Sequence, residues 1–330
     1  MKIKISELKE VTQKAILHYG YSKEEASIIQ DVLLYAQLRG NNQGVVKLIG
    51  KGLPKNPNET EIKIEKETKL SAKLDGGQHM GMIVMKKALE IALAKAKEHG
   101  FGIVGTHNTK TSTGAIGYYA NEIAKQGYIG FVFAGSPETV APHGSYQPIF
   151  GTNPLAIGIP SDTEPIVLDM ATAAMAYYGL IEAKIAGRKI PSGIAYDKEG
   201  NLTDDPNKAM EGALRPFDKS HKSSGLSFMI QILCGPLVGA AFSGFGDTGN
   251  NWGNLIMVFD PELLADKNEF KKGVGLFSQK VKETKKLPGV KEIYFPGERG
   301  TKLTKENLKG GYIEIEDNLW NSLLEVSRKK

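Results

Sequence analysis

Apolar positions recur at helical spacing near both ends of the chain and alternate in strand fashion between them. "ELKEVTQKAILHYG" predicts a first helix for which Ser6 can serve as cap. Ser22, followed by Glu24 and Glu25, opens a second in "KEEASIIQDVLLYAQLRG". "ETEIKIEKETKLSAKLDG" alternates apolar and polar side chains as strands do. A long helix, "GMIVMKKALEIALAKAKEHG", then runs to Gly100, and strand, loop, helix and strand follow in "GIVGTHN", "TSTGAIGYYANEIAKQG" and "YIGFVFAGS". "TNPLAIGIPS" and "PIVLDMATAA" are short apolar runs bounded by Gly, Pro and Asn, and residues 173–186 read as helical. "KSSGLSFMIQILCGPLVGAAF" is apolar nearly all round, which predicts a buried helix too short to span a bilayer. "NLIMVFDPELL" gives a strand with Asp260 and Pro261 starting a helix, and "DNLWNSLLEVSRKK" closes the chain as a helix capped by Asp317 or Asn318. Helices at both termini around a mixed centre predict that the two ends pack as one unit.

The 330 residues suffice for two packed units, and 41% hydrophobic with 24% charged residues is ordinary globular composition. A formal charge of +5 is small against 42 basic and 37 acidic side chains. The lysine-dense stretch Lys267 to Lys286 therefore reads as a solvated helical face rather than a nucleic-acid surface. A lone cysteine, Cys234, excludes an internal disulfide, fits a reducing compartment, and sits in an apolar setting that suits an inert thiol. "MKIKISELKE" offers no signal-peptide core, and no window holds about 18 uninterrupted apolar residues. The expectation is a soluble, cytoplasmic protein with neither nucleic acid nor membrane as partner.

Candidate chemistry is sparse. No G-x-G-x-x-G follows the first strand and no Walker A loop is present, so a dinucleotide would not be held by the ordinary Rossmann fingerprint. None of the six histidines has zinc-ligand spacing, and no metal site is expected. His18 and His99 lie near helix C-termini, where a cation suits the dipole. His107 enters a Ser/Thr-rich loop after a strand, a common location for site residues. Thr152 and Asn153 are compact hydrogen-bonding groups ahead of Pro154. Asp169 stands at a strand end before a helix, either as that helix's cap or as a partner for a ligand hydroxyl. His221 and Lys222 precede the apolar helix, a natural place for phosphate. In "LRGNNQGVVKL" three carboxamides, Asn41, Asn42 and Gln43, follow Arg39 and Gly40, either as a plain polar turn or as groups facing a ligand.

Taken in order, "LRG…GVVKL", "STGAIGYYANEIAKQGYIG", "APHG", "FGTNPLAIGIP", "VLDMATAA", "GRKIPSGIAYDKEGNLTDDP", "SHKSSGL" and "FPGER" resemble the malate/L-lactate dehydrogenase family, which is unrelated to the Rossmann-type lactate and malate dehydrogenases. The resemblance spans almost the whole chain. It implies an α/β fold with a largely antiparallel sheet and helices that binds NAD(P), plus a helical domain made from both termini. The expected division is residues 1–60 with 300–330 as the helical unit, 61–112 with 156–299 as the NAD(P)-binding unit, and 113–155 as a small inserted segment. A homodimer is implied as well. Ser136, Asp169, Met170, Ala171, Lys222 with its neighbour His221, and Gly297, Glu298 and Arg299 match cofactor positions. Arg39 and Thr152 match residues near a small carboxylate substrate, which a guanidinium grips with two hydrogen bonds.

The resemblance breaks at the proton. Most members read Ser-His-Gly where this chain has Asn42, Gln43 and Gly44, with one residue fewer after Arg39. Ser112 stands at the position of a second family histidine. Hydride transfer between alcohol and carbonyl needs a group that moves a proton near working pH. Gln43 cannot titrate, and Ser112 can relay a proton only with something more basic behind it. The replacement candidates are His107, Lys110 and Tyr118. The expected activity is oxidoreduction of a small 2-hydroxy or 2-oxo acid with NAD or NADP. The alternative is a dinucleotide- or metabolite-binding protein whose catalysis is lost or altered.

Overall fold

The computed structural model describes residues 1–328. A short strand β1 (Lys2–Lys4) leads into α1 (Ile5–His18) and α2 (Lys23–Leu38). The centre comprises β2 (Lys63–Glu67), β3 (Ser71–Asp75), α3 (Gly81–His99), β4 (Phe101–Thr109), α4 (Gly117–Lys125), β5 (Ile129–Ala134), β6 (Leu155–Ile159) and β7 (Ile166–Met170). Next come α5 (Tyr177–Ile185), β8 (Ala195–Tyr196), α6 (Pro206–Glu211), β9 (Ala213–Leu214), α7 (His221–Cys234), β10 (Trp252–Phe259) and α8 (Lys267–Lys282). The chain ends in α9 (Glu298–Gly310), β11 (Tyr312–Glu314) and α10 (Asp317–Arg328).

Seven strands form one sheet in the order β2-β3-β4-β10-β5-β6-β7. Only β3 and β4 run parallel; every other neighbouring pair is antiparallel, so the expected largely antiparallel α/β architecture is what the chain adopts. Alternation along the central strands sorts side chains to two faces. Val132, Ile256 and Val258 join the main core with α3 and α4, whereas Phe133, Leu255 and Met257 face the side that carries α7. Gly158 lets α4 lie flat on β6: a Cβ there would stand 2.1 Å from the Ala120 carbonyl oxygen. The exposed edge strand β2 carries Lys63, Glu65, Lys66 and Glu67, charges that discourage edge-to-edge pairing.

The termini do meet. β1 pairs with β11, α1 packs on both α2 and α10, and the same apolar core continues from these helices into the sheet. The capping box at Ser22 forms as expected, with Glu25 closing it. Ser6 is not a cap, because β1 runs straight into α1 and the Ile5 N–H is already taken by the Gly311 carbonyl. Asp260 and Pro261 open only a short 3-10 turn, and Asp266 caps α8 instead. A smaller core gathers Val140, Phe150, Ala173, Leu180, Ile194 and Leu214 around α5, α6 and the β8–β9 pair. Residues 113–155, expected as a small inserted segment, thus divide: β5 lies inside the large sheet, while Val140 and Phe150 enter the smaller core.

One expectation fails clearly. α7 was expected to be wholly buried. Ser223, Ser227, Ile230 and Cys234 do face the sheet, but Phe228 and Met229 are 53% and 56% exposed, with Leu226 and Ile232 beside them. A helix apolar on all sides has one side covered by its own chain and one left open. Among the described residues no helix is long and apolar enough to cross a membrane.

Candidate active site

The ends of β5, β6 and β7 converge with three loops on a cleft of about 1590 Å³. Typical small-molecule sites measure roughly 300–1,000 Å³, so there is room for two reactants side by side. The cleft is lined by residues 39–43 and Lys47 after α2, by 110–116 after β4, by 134–139 at and after the end of β5 and by 167–171 along β7 and just past it, with Thr152, Gly297 and Arg299 among the others.

A hydrogen-bonded frame fixes the strand ends. The Ser136 hydroxyl accepts from the Thr152 N–H at 3.1 Å, and Thr172 donates both its N–H (2.9 Å) and its hydroxyl (3.1 Å) to the Thr152 carbonyl. Asn153 is buried in the left-handed region, at φ 38°, which Asn tolerates better than most residues. Its amide reaches across to α7, donating to the Ser227 carbonyl at 3.0 Å and to Gln231 Oε1 at 2.8 Å. The compact "TNP" element therefore ties the cleft floor to α7.

Asp169 resolves its two readings in an unexpected way. It is on β7, and its Oδ2 accepts from the Gly117 N–H at 3.0 Å, capping α4 rather than the helix that follows it in sequence. Gly117 leaves room for this, since a Cβ there would lie 2.6 Å from Oδ2. Burial pushes the Asp169 carboxyl up to about 6, against the opposing pull of the Gly117 N–H and the Arg39 guanidinium. Arg39 itself stacks on the Tyr35 ring and donates through one nitrogen to the Gly297 carbonyl and Thr301 Oγ1, both at 2.9 Å. It thus lines the cleft and also fastens the start of α9 to α2.

The turn after α2 is built around close approach. At Gly44 a Cβ would stand 2.3 Å from Gln37 Oε1, which accepts the Val45 N–H at 3.0 Å. That contact starts a 3-10 turn over Val45–Leu48 and turns Lys47 inward. Lys47 is 1% exposed; its Nζ donates to Ser112 Oγ at 2.8 Å and lies 3.3 Å from the centroid of the Tyr178 ring. Burial drives its amine well below the usual lysine range. Ser112, 7% exposed, also accepts the Gly114 N–H at 3.0 Å.

Other sequence candidates lie elsewhere. His107 does not line the cleft: it sits on β4, and its Nε2 reaches across β3 to Glu65 Oε2 on β2 at 2.8 Å. Tyr118 packs edge-on against Tyr35 and Tyr119 outside the lining, whereas Lys110 does line it. His221 and Lys222 are exposed in the first turn of α7, beyond the cleft wall. Glu298 pairs with Lys282 and accepts the Phe295 N–H at 3.3 Å, shaping the turn that presents Gly297 and Arg299. Gln43, Ser112, Arg39, Thr152, Ser136, Asp169, Met170, Ala171, Gly297 and Arg299 share the one cleft.

Comparison with known proteins matches residues 3–324 to the family model described as malate/L-lactate dehydrogenase. The chain belongs to the malate/L-lactate dehydrogenase family. Relatives include the malate/(S)-sulfolactate dehydrogenase of Methanothermus fervidus, 38% identical over 93% of this chain and 92% of that protein. The L-sulfolactate dehydrogenase of Methanothermobacter thermautotrophicus is 36% identical over 100% of this chain and 97% of its own length. Among solved structures, sulfolactate dehydrogenase from Methanocaldococcus jannaschii superposes with a TM-score of 0.81 at 33% identity, covering 99% of this chain and 96% of that one.

Within this malate/L-lactate dehydrogenase family member, Lys47 is among the cleft residues that no sequence motif singles out, with Thr111, Thr139, Tyr178 and Trp252. A faint signal was present: a single cation flanked by Val45, Val46, Leu48 and Ile49. Lys and Arg are almost never fully buried without a partner, so a cation embedded in such a run is a candidate for special treatment.

Proposed function

We propose that the chain transfers hydride between a nicotinamide dinucleotide, NAD or NADP, and a small 2-hydroxy or 2-oxo acid. The observation that carries this reading is the convergence of Ser136, residues 169–171, Gly297 and Arg299 with Arg39, Thr152 and Ser112 on a single cleft of a family member. The lining suits a ligand rich in hydroxyl, phosphate and amide groups. Thr111 Oγ1, Thr139 Oγ1 and Trp252 Nε1 are buried in it without a protein partner, and such atoms want a ligand.

When bound, the nicotinamide supplies the hydride. The protein supplies position and charge. Arg39 keeps one guanidinium nitrogen on Gly297 and Thr301 and has its remaining N–H groups for a substrate carboxylate. Thr152, immobilised through Ser136 and Thr172, orients the same substrate. Residues 169–171 and 297–299 frame the cofactor region. The test is oxidation of NADH and NADPH, side by side, against a panel of 2-oxo acids that includes sulfonated and dicarboxylic members. Turnover of at least one acid is expected; tight NAD(P)H binding with no turnover of any would replace the reading by one of binding without catalysis.

We also propose a homodimer formed through α7. The open apolar face of Leu226, Phe228, Met229 and Ile232, continued by Leu237 and Phe245, supports burial against a second copy. A cytoplasmic location fits the single, buried cysteine.

A further inference from the structure

We propose that Ser112 and Lys47 form the proton relay of this site: the Ser112 hydroxyl gives its proton to the substrate's carbonyl oxygen, and Lys47 Nζ resupplies it. This rests on the oxidoreductase reading above and names the group that the two replaced histidines leave wanting. Three features of the geometry point to it. Ser112 lines the cleft, and its Oγ accepts from both Lys47 Nζ (2.8 Å) and the Gly114 N–H (3.0 Å). With both of those contacts spent on acceptance, the hydroxyl hydrogen has no acceptor among the described residues and is left for an atom bound in the cleft. Lys47 sits in the same wall of the cleft but is only 1% exposed, and its Nζ is held on Ser112, so the hydroxyl is the path between the amine and a bound substrate.

The environment of Lys47 keeps both of its protonation states within reach. Burial disfavours the ammonium. The face of Tyr178 from α5, 3.3 Å away, favours it. From the end of α1, Tyr19 spends its hydroxyl on the Leu48 carbonyl. Among the described residues no carboxylate pairs with the amine, so nothing locks it in the charged form as Glu25 and Glu59 lock Lys55.

The step balances. In reduction the carbonyl carbon receives a hydride from reduced nicotinamide, and the carbonyl oxygen takes the Ser112 proton to become a hydroxyl. Ser112 takes a proton from the Lys47 ammonium, leaving a neutral amine that is recharged through the same hydroxyl from water in the cleft once product has left. Oxidation of the 2-hydroxy acid runs the same path backwards, with neutral Lys47 as the final base. Gln43, which cannot titrate, is left to orient the substrate.

Two measurements test the relay. The first uses no cofactor: protein labelled with ¹³C and ¹⁵N at lysine side-chain ends is titrated by NMR. One lysine signal should titrate clearly below the other lysines and vanish in Lys47→Met. If Lys47 titrates with the surface lysines, the proposal is overturned. The second measures kcat against pH for wild type, Lys47→Arg, Lys47→Met and Ser112→Ala on an acid that the wild type uses. A positioned proton donor contributes about 10²–10⁴-fold, so each variant should lose at least about 100-fold in kcat while NAD(P)H binding by fluorescence is kept. Arginine holds its proton at all working pH, so the lysine limb of the pH profile should also disappear in Lys47→Arg. A Ser112→Ala or Lys47→Arg enzyme with wild-type kcat and profile overturns the relay. Should the wild type turn over no 2-oxo acid, the oxidoreductase reading falls, and the NMR titration alone decides the state of Lys47.

Discussion

Asp169→Asn isolates the cost of holding a carboxyl inside the cleft wall. In the folded chain burial raises this group from its ordinary 3.8 to about 6. Between these values the unfolded chain has released the proton while the folded chain retains it. The folded state therefore binds more protons, and stability falls as pH rises through this window. The penalty is absent below the unfolded value and complete above about 6, where it reaches about 3 kcal/mol. Asparagine keeps an oxygen to accept the Gly117 N–H but never ionises. Its amide N–H groups add a pH-independent cost of about 1 kcal/mol if one stays unpaired. The difference between variant and wild type should then move in the variant's favour by about 2 kcal/mol between pH 4.5 and pH 8. Urea denaturation of both proteins at the two pH values, followed by far-UV circular dichroism, measures it. Because only the change in the difference is used, the acid sensitivity of all other groups cancels. A difference that stays constant with pH, or turns against asparagine at pH 8, would refute the reasoning; it would mean that Arg39 and the Gly117 N–H more than offset the burial of the charge.

Other outcomes follow from single contacts. Gly158→Ala should destabilise the protein by about 2–3 kcal/mol, because its Cβ meets the Ala120 backbone oxygen at 2.1 Å and neither β6 nor α4 can yield easily; a thermal midpoint unchanged from wild type would contradict the packing. Arg39→Ala removes two hydrogen bonds to the start of α9, and a loss of about 2 kcal/mol in urea together with a raised KM for the acid is expected; a change in KM alone would assign it to substrate only. Met229→Asp with Ile232→Asp should halve the mass seen by light scattering, since both side chains lie on the open face of α7. A wild type that is already monomeric would rule out the dimer.

Much of the architecture was legible because it rests on local periodicity. The helical spacing of Leu8, Val11 and Ala15, the capping box of Ser22 and Glu25, and the alternation in β3 each act within a few residues. The family motifs were equally legible, since "FGTNPLAIGIP" and "VLDMATAA" are runs whose order survives in the sequence. The site was less so. The sequence reads Asp169 as a cap for the helix that follows it; the helix it caps starts 52 residues earlier in the chain, and no rule about flanking positions points there. His107 is drawn in by its Ser/Thr-rich neighbourhood, and Glu65 on β2, two strands along the sheet, takes it away.

The sequence by itself determined which segments coil, which extend and which family the chain resembles, because those follow from side-chain period and from residues that are neighbours along the chain. Only the tertiary structure decided where the proton chemistry has a candidate. Lys47 and Ser112 are 65 residues apart, and a lysine's basicity depends on what surrounds its amine rather than on its neighbours in sequence. The same holds for α7, whose uniform apolarity specifies burial without saying against what; folding covers one face and leaves Phe228 and Met229 for a partner surface.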